Sequence, residues 1–306
     1  MARLVAVFRE VRRVLTDDGT LWLNLGDSYA SNIKGSGGPD SSSTLVGTKA
    51  EHNGQRMRPI RLEHGLKTKD LIGIPWRVAF ALQADGWWLR SDTIWSKPNP
   101  MPESVTDRPT KAHEYLFLLS KNGGRALLWR AADTGEWSRD PDLTERVTRR
   151  TIQGDEDIPR WRGFDYYYDA SAIREPATDT GRVNGREGRN EDPGARPPGS
   201  SARTLARIDY TALGRNRRSV WTIPTQPYPE AHFATFPEAL VEPCILAGSQ
   251  TDDTVLDPFC GSGTVGVVAL RHGRQFIGVE LSPKYVEMAR RRILGPLFAG
   301  EQVVSD

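Results

Sequence analysis

Residues 254–281, TVLDPFCGSGTVGVVALRHGRQFIGVEL, decide the fold. They predict a strand, a glycine-rich turn, a helix and a second strand that ends at an acid. Gly261, Gly263 and Gly266 have the spacing G-x-G-x-x-G, which allows a tight turn and a close approach of the backbone to a ligand. Such a unit normally begins a nucleotide-binding sheet. Only 25 residues follow Leu281, so the rest of this sheet has to come from earlier in the chain.

Composition excludes several classes of protein. The 306 residues contain 41 Lys and Arg against 39 Asp and Glu, so an anionic partner has to be bound by a local patch rather than by a general positive field. Cys244 and Cys260 fit neither a disulfide framework nor a zinc site with paired cysteines. No apolar run is long enough to cross a bilayer. We therefore expect a cytoplasmic protein with no metal site.

The first 121 residues predict alternating helices and strands. Apolar residues spaced three or four apart predict an amphipathic helix over 4–15, and a second helix is expected over 70–86 with Asp70 as its cap. Strands are expected at 20–25, 87–97 and 113–121. The Ser- and Gly-rich residues 31–54 predict a mobile loop.

The chain changes character over residues 122–220. A stretch near 176–206 is rich in Gly and Pro and is expected to be disordered. Residues 174–218 contain ten Arg and no Lys against six acids. They form either a solvated linker or a segment that contacts nucleic acid, because the planar guanidinium group suits phosphates and guanine edges.

Two acids flank the glycine turn and bear on its ligand. Asp257 would repel a pyrophosphate but would suit an ammonium group, and Glu280 can accept hydrogen bonds from two ribose hydroxyls. A ligand with a ribose diol, an ammonium group and no phosphate is S-adenosyl-L-methionine. The alternatives are a purely structural glycine turn, with Asp257 as a turn cap, and a nicotinamide-dependent oxidoreductase.

Several blocks of sequence, taken together, resemble the amino-methylating DNA methyltransferases (cytosine-N4 and adenine-N6) in their circularly permuted β-class order. The blocks are LWLNLGDSYA (21–30), KPNPMPESVTDRPTKAHEYLFLLSK (97–121), HFATFPEALVEPCILAGS (232–249), LDPFCGSGT (256–264) and FIGVELSPKYVEMARRRI (276–293). The resemblance implies a circularly permuted, Rossmann-like α/β fold with an inserted irregular target-recognition region. The catalytic half would be 1–121, the recognition region 122–220 and the cofactor half 221–306, with both ends of the chain in one parallel sheet.

The resemblance also implies the site residues. Asp27 either lines the target pocket or caps a helix or turn, and DNA contacts are expected from Arg215, Arg217 and Arg218. Cofactor contacts are expected from ten residues: Phe236, Pro237, Asp257, Pro258, Phe259, Gly261, Ser262, Gly263, Thr264 and Glu280.

One family motif is missing from the sequence. The family has the tetrapeptide Asp/Ser/Asn-Pro-Pro-Tyr/Phe/Trp, whose polar groups accept hydrogen bonds from the target amine and whose ring stacks on the flipped base. The only Pro-Pro here is Pro197-Pro198, without the polar leader or the aromatic residue. We expect the tetrapeptide and one more strand upstream of Met1; the alternative is a truncated remnant or an incomplete half.

The expected function is methyl transfer from S-adenosyl-L-methionine to the N4 amine of cytosine or the N6 amine of adenine in double-stranded DNA, with the overall blocks favouring cytosine. A cognate restriction endonuclease is the expected partner. The alternative is a catalytically incomplete chain that binds cofactor or DNA without turnover.

Overall fold

The computed structural model describes residues 1–30, 65–67, 69–151, 154–176, 214–226 and 235–298. The loop predicted at 31–54 lies outside them, as does the stretch predicted to be disordered near 176–206, apart from Pro176. In chain order the described elements are α1 (Ala2–Val14), β1 (Thr20–Leu25), α2 (Ile74–Ala84), β2 (Trp88–Ser96), β3 (His113–Ser120), β4 (Leu128–Ala131), β5 (Trp137–Ser138), β6 (Arg146–Thr151), β7 (Gly154–Pro159), β8 (Trp161–Phe164), β9 (Val220–Thr222), α3 (Glu238–Gly248), β10 (Thr254–Asp257), α4 (Thr264–Arg271), β11 (Gln275–Gly278) and α5 (Pro283–Phe298).

A four-stranded main sheet has the order β1-β3-β2-β9. Strand β3 is antiparallel to both β1 and β2, and β9 is parallel to β2. Helices cover the two faces because side chains alternate along each strand. Phe117 and Leu119 of β3 pack under α1 and α2, whereas Leu116 packs with Leu240 and Cys244 of α3 on the opposite face.

A second, two-stranded sheet contains the glycine motif. Strands β10 and β11 are parallel and are connected through α4, which is the predicted βαβ unit. Helix α3 joins this sheet to the main sheet: its Val241 and Ile245 pack with Val268 and Ala269 of α4, while its other face covers the main sheet. The two sheets therefore share one helix layer.

The expectation of one parallel sheet is wrong for the described residues. Strands β1 and β10 are not hydrogen-bonded to each other, and the main sheet is mixed because β3 runs against its neighbours. The sheets meet through side chains instead: Leu256 of β10 packs against the α1–α2 cluster, and the rings of Phe8 and Phe259 meet edge to face at 6.2 Å. Among the described residues, no strand is hydrogen-bonded to both β1 and β10.

The described strands between residues 122 and 176 form small sheets of their own. Strands β5, β4 and β8 make one antiparallel sheet, and β6 and β7 form a separate hairpin. The chain then returns to the main body, where the Tyr167 N–H donates to the Asp18 carbonyl at 2.8 Å and the Asp169 N–H donates to the Ala247 carbonyl at 2.9 Å. An ion pair between Arg139 and Asp18 (2.8 Å) adds a side-chain link.

Most predicted elements of the first 121 residues form within a few residues of their expected bounds. Helix α2 is the exception, because it begins at Ile74 after Gly73, whose φ of 73° is left-handed. Asp70 does not cap it and instead accepts the Lys67 N–H. No helix in the described ranges is long and apolar enough to span a membrane.

Candidate functional site

The turn between β10 and α4 is built on glycines with positive φ. Gly261 has φ 51° and Gly263 has φ 79°, values that L side chains rarely adopt. The turn is closed by hydrogen bonds from the Gly263 N–H to the Cys260 carbonyl (2.9 Å) and from the Cys260 N–H to the Val279 carbonyl (3.0 Å). The turn lies at the end of β10, with Gly261 partly exposed and Ser262 and Thr264 buried.

Gly266 serves packing rather than a turn. A Cβ at this position would lie 2.6 Å from Ile293 Cδ1 and 2.7 Å from a ring carbon of Phe276. Helix α4 therefore contacts β11 and α5 more closely than a side chain would permit. The third glycine of the motif fixes how the helix, and with it the glycine turn, sits on the strands.

Two carboxylates lie at the turn. Asp257 Oδ1 accepts the Phe259 N–H at 3.0 Å, whereas Glu280 accepts two backbone N–H groups, from Gly261 to Oε2 (3.0 Å) and from Ser282 to Oε1 (2.8 Å). Burial raises the pKa of Asp257, and the nearby Glu280 charge raises it further, against the lowering effect of the Phe259 N–H. A cationic ligand would offset the repulsion between the carboxylates of Asp257 and Glu280, and a hydroxyl-bearing ligand could donate hydrogen bonds to them. A phosphate would add to the repulsion.

A cavity of about 320 Å³ lies beside the turn and brings the two parts of the predicted cofactor site together. Its described lining is Gln226, Thr235, Phe236, Pro237, Glu238, Thr264 and Arg292. Phe236 and Pro237, just before α3, thus share a cavity with Thr264 of the glycine turn, although Phe236 and Thr264 are 28 positions apart in the sequence.

Arg292 also lines this cavity, and no sequence motif predicted it. Its guanidinium donates to the hydroxyls of Thr264 (2.9 Å) and Ser262 (3.2 Å) and to Glu238 (3.0 Å). Burial favours the protonated form of Glu238, but hydrogen bonds from Arg271 and Arg292 outweigh it and lower the pKa of that carboxyl. Residues 290–292 are three consecutive arginines, so the sequence alone does not indicate which of them faces the glycine turn.

Asp27 lies at the end of β1 in the main sheet. Its Oδ1 accepts the N–H groups of Ile74 and Ser28, each at 2.9 Å, and its side chain is 3% exposed. Of the two alternatives for Asp27, the cap has this direct geometric support, because Ile74 is the first residue of α2. Its role in the target pocket stays a prediction.

The three arginines predicted to contact DNA lie just before β9. Arg215 and Arg218 both pair with Glu175, at 2.8 and 2.9 Å, and Arg217 lies over the ring of Trp221 at 4.5 Å. Glu175 thus competes for two of the three guanidinium groups. In the described part of the chain, no cluster of three or more His, Cys, Asp or Glu side chains could bind a metal ion.

Comparisons with known proteins identify the family. A family model described as DNA methylase, for N6 and N4 enzymes, matches residues 1–291. The type II methyltransferase M.Cfr9I of Citrobacter freundii is 43% identical over 293 residues, which are 96% of this chain and 71% of the relative. The type II methyltransferase M.SmaI of Serratia marcescens is 42% identical over 293 residues, 95% of this chain and 73% of the relative.

Solved structures agree on the fold. The PvuII DNA methyltransferase, described as cytosine-N4-specific, has a TM-score of 0.52 at 16% identity, over 95% of this chain and 70% of that one. A Thermus thermophilus protein described as a putative DNA modification methylase, in complex with S-adenosyl-L-methionine, has a TM-score of 0.50 at 20% identity, over 96% and 76% of the two chains. The predicted Rossmann-like methyltransferase fold is confirmed. The chain belongs to the N6/N4 DNA methylase family and is a site-specific, S-adenosyl-L-methionine-dependent DNA methyltransferase.

Proposed function

We propose that the turn 257–264 and Glu280 bind S-adenosyl-L-methionine, with Phe236 and Pro237 at its methionine end. The observation that supports this most is the fixed orientation of Glu280. Each of its oxygens accepts one backbone N–H, which leaves each a lone pair for a ribose hydroxyl. Asp257 offers a buried carboxylate to the ammonium group, and the adjoining cavity is large enough for one end of the ligand.

The cofactor site can be tested by titrating the full chain with S-adenosyl-L-methionine and, separately, with NADH. Saturable binding of the first alone is the expected result, because two carboxylates beside the turn disfavour a pyrophosphate. Binding of NADH without binding of S-adenosyl-L-methionine would overturn the proposal.

We further propose that the methyl acceptor is the exocyclic amine of cytosine (N4), with adenine (N6) as the alternative. The lone pair of this amine is conjugated with the ring, so the enzyme has to place it in line with the sulfonium methyl. The base has to leave the stack to reach the cofactor. Mass spectrometry of nucleosides from methylated DNA separates the two products, and 5-methylcytosine alone would refute both.

Residues 122–220 are proposed to read the DNA sequence, between a catalytic half at 1–121 and a cofactor half at 221–306. The support is that residues 128–164 form sheets separate from the main one, as expected of an inserted region. Arg215, Arg217 and Arg218 are proposed as phosphate or base contacts, with DNA displacing Glu175 from two of them. Replacing each by Gln should weaken DNA binding, and unchanged affinity would remove that arginine from the set.

A second candidate function is binding of cofactor or DNA without turnover. The observation that favours it is the absence of the Pro-Pro tetrapeptide, since Pro197-Pro198 lacks its flanking residues. It predicts stoichiometric binding of S-adenosyl-L-methionine with no labelled methyl in DNA after prolonged incubation. Incorporation beyond one methyl per protein chain would exclude it.

A cognate restriction endonuclease is proposed as the functional partner, acting on the same DNA in the cytoplasm. The support is the naming of the relatives as type II methyltransferases. Loss of this gene should leave cellular DNA cleavable by an extract of the parent cells. DNA that stays resistant would argue against the pairing.

A further inference from the structure

A cleft of about 300 Å³ lies at the end of the main sheet opposite the glycine turn. It is lined by Gly124, Arg125, Ala126, Arg162, Gly163, Phe164 and Asp165. Residues 124–126 follow β3, whose last residue, Ser120, pairs with the first residues of β1 and β2, Thr20 and Trp88. Helix α3 runs between the two sites, because Glu238 at its start lines the candidate cofactor cavity and a Cβ on Gly248 at its end would lie 3.0 Å from the Thr20 hydroxyl.

Arg125 and Arg162 differ from the other arginines around this cleft. Four neighbours have carboxylate partners within 3.4 Å: Arg130 with Asp169, Arg139 with Asp18, Arg146 with Asp157, and Arg160 with Asp133 and Glu145. Arg125 and Arg162 are exposed and form no ion pair within the described ranges. Arg162 rests over the Phe164 ring at 5.3 Å, which supports its guanidinium without neutralising it.

The charge around the cleft is positive. Asp165 is its only carboxylate among the described lining residues, and its Oδ2 accepts the Gly124 N–H at 3.2 Å. Asp17 is close enough for Arg125 to lower its pKa, but its main partner is Lys121 at 3.1 Å. The described lining of the cleft therefore contains two arginines and one carboxylate, which is hydrogen-bonded to the Gly124 N–H.

The shape of the cleft is set by the backbone. A Cβ on Gly163 would lie 2.7 Å from Ala126 Cβ, so the segment 124–126 and strand β8 are adjacent without an intervening side chain. The Leu127 N–H donates to the Phe164 carbonyl at 2.7 Å, which fixes the two segments together. The two arginines thus lie on neighbouring segments that are hydrogen-bonded to each other and line one cleft.

We propose that Arg125 and Arg162 bind a backbone phosphate of the DNA away from the target base. Guanidinium groups donate paired hydrogen bonds to phosphate oxygens, and such contacts fix orientation without reading sequence. Strand β3 has eight residues, which at about 3.3 Å each place the cleft roughly 26 Å from the other end of the strand, where β1 ends near Asp27. The inference rests on the proposed DNA-reading role of residues 122–220.

The test is the salt dependence of DNA binding, measured by fluorescence anisotropy with two duplexes of equal length and unrelated sequence. The proteins are the full-length wild type, the double variant Arg125→Gln/Arg162→Gln and the control Arg3→Gln, which removes an exposed charge from α1. Losing this one phosphate contact lowers the slope of log K against log salt by roughly 1. We expect this fall in the double variant, equally for both duplexes, and none in the control.

The outcomes separate this inference from the proposed function. A wild type that shows no salt-dependent DNA binding refutes the role of residues 122–220 and the cleft together. A wild type that binds, with the double variant retaining its slope, refutes the cleft alone. A fall for one duplex only would mean a base contact, which also overturns the phosphate assignment. Unchanged binding of S-adenosyl-L-methionine by the double variant would verify that its fold is intact.

Discussion

A substitution of Glu280 is the most specific test of the proposed cofactor site. The substitution Glu280→Gln keeps the size of the side chain but replaces one acceptor oxygen by an NH2 group. In the wild type both oxygens accept backbone N–H groups, from Gly261 at 3.0 Å and from Ser282 at 2.8 Å. The variant can keep only one of these bonds, and its NH2 group then faces the other N–H.

The magnitude follows from these contacts. A hydrogen bond to a charged group contributes about 1.5–3 kcal/mol, and about 1.4 kcal/mol corresponds to a tenfold change in affinity. If the charged carboxylate also accepts a ribose hydroxyl, its loss should raise the Kd for S-adenosyl-L-methionine by roughly 10- to 100-fold. The disturbed turn adds to this loss, because one of the two N–H groups, that of Gly261 or that of Ser282, no longer has an acceptor.

The assay is isothermal titration calorimetry of wild type, Glu280→Gln and the control Glu287→Gln. Glu287 is exposed on α5, so its variant removes the same charge without touching the turn and should bind as the wild type does. Thermal unfolding of each variant checks that the fold persists. A folded Glu280→Gln variant with a Kd indistinguishable from that of the wild type would refute the role given to this carboxylate.

Three other predictions concern packing and protonation. Gly266→Ala places a methyl group 2.6 Å from Ile293 Cδ1 and should lower the free energy of unfolding by about 1–3 kcal/mol, whereas Gly295→Ala, which meets open space on α5, should not lower it; urea denaturation measures both. Burial, with the charges of Asp257 and Glu280, raises the pKa of Cys260 to about 11 from 9.0. At mildly alkaline pH the Cys260 thiol should therefore react with iodoacetamide roughly 100-fold more slowly in the folded protein than in the unfolded chain. Equal rates would contradict the raised pKa. The pKa of Glu238 is lower in the folded state, so below about pH 4.5 the unfolded chain takes up a proton that the folded chain does not, and the stability of the fold decreases. In an acid titration followed by circular dichroism, Glu238→Gln should therefore lose less stability than the wild type. An identical loss would show that Glu238 is not its source.

Periodicity and turn chemistry predicted the local elements well. Strand alternation and glycine spacing are short-range signals, and the βαβ unit around Gly261 and Gly263 formed as expected. The start of α2 was misplaced because two side chains compete there. Asp70 has the residue type of a cap, but Asp27, 47 positions from Ile74, supplies the acceptor, and no local pattern contains that information.

Longer-range features were harder to predict. The direction of β3 and the separation of the two sheets depend on pairing between distant strands, which residue types alone do not specify. Trp88 is 47% exposed while Trp87 and Trp95 are 2% exposed, because neighbouring residues of a strand face opposite sides, and residue type alone does not show which tryptophan faces the core. Arg292 was missed since only the folded helix α5 shows that it faces Ser262 and Thr264.

The most direct test of the central claim is incubation of the full chain with DNA and S-adenosyl-L-methionine carrying a deuterated methyl group, followed by mass spectrometry of the nucleosides. Methyl transfer to an exocyclic amine should yield deuterated N4-methylcytosine, or deuterated N6-methyladenine if adenine is the acceptor, in molar amounts that exceed those of the protein. Deuterium found only at the C5 position of cytosine, or in no nucleoside while the cofactor is bound, would contradict it.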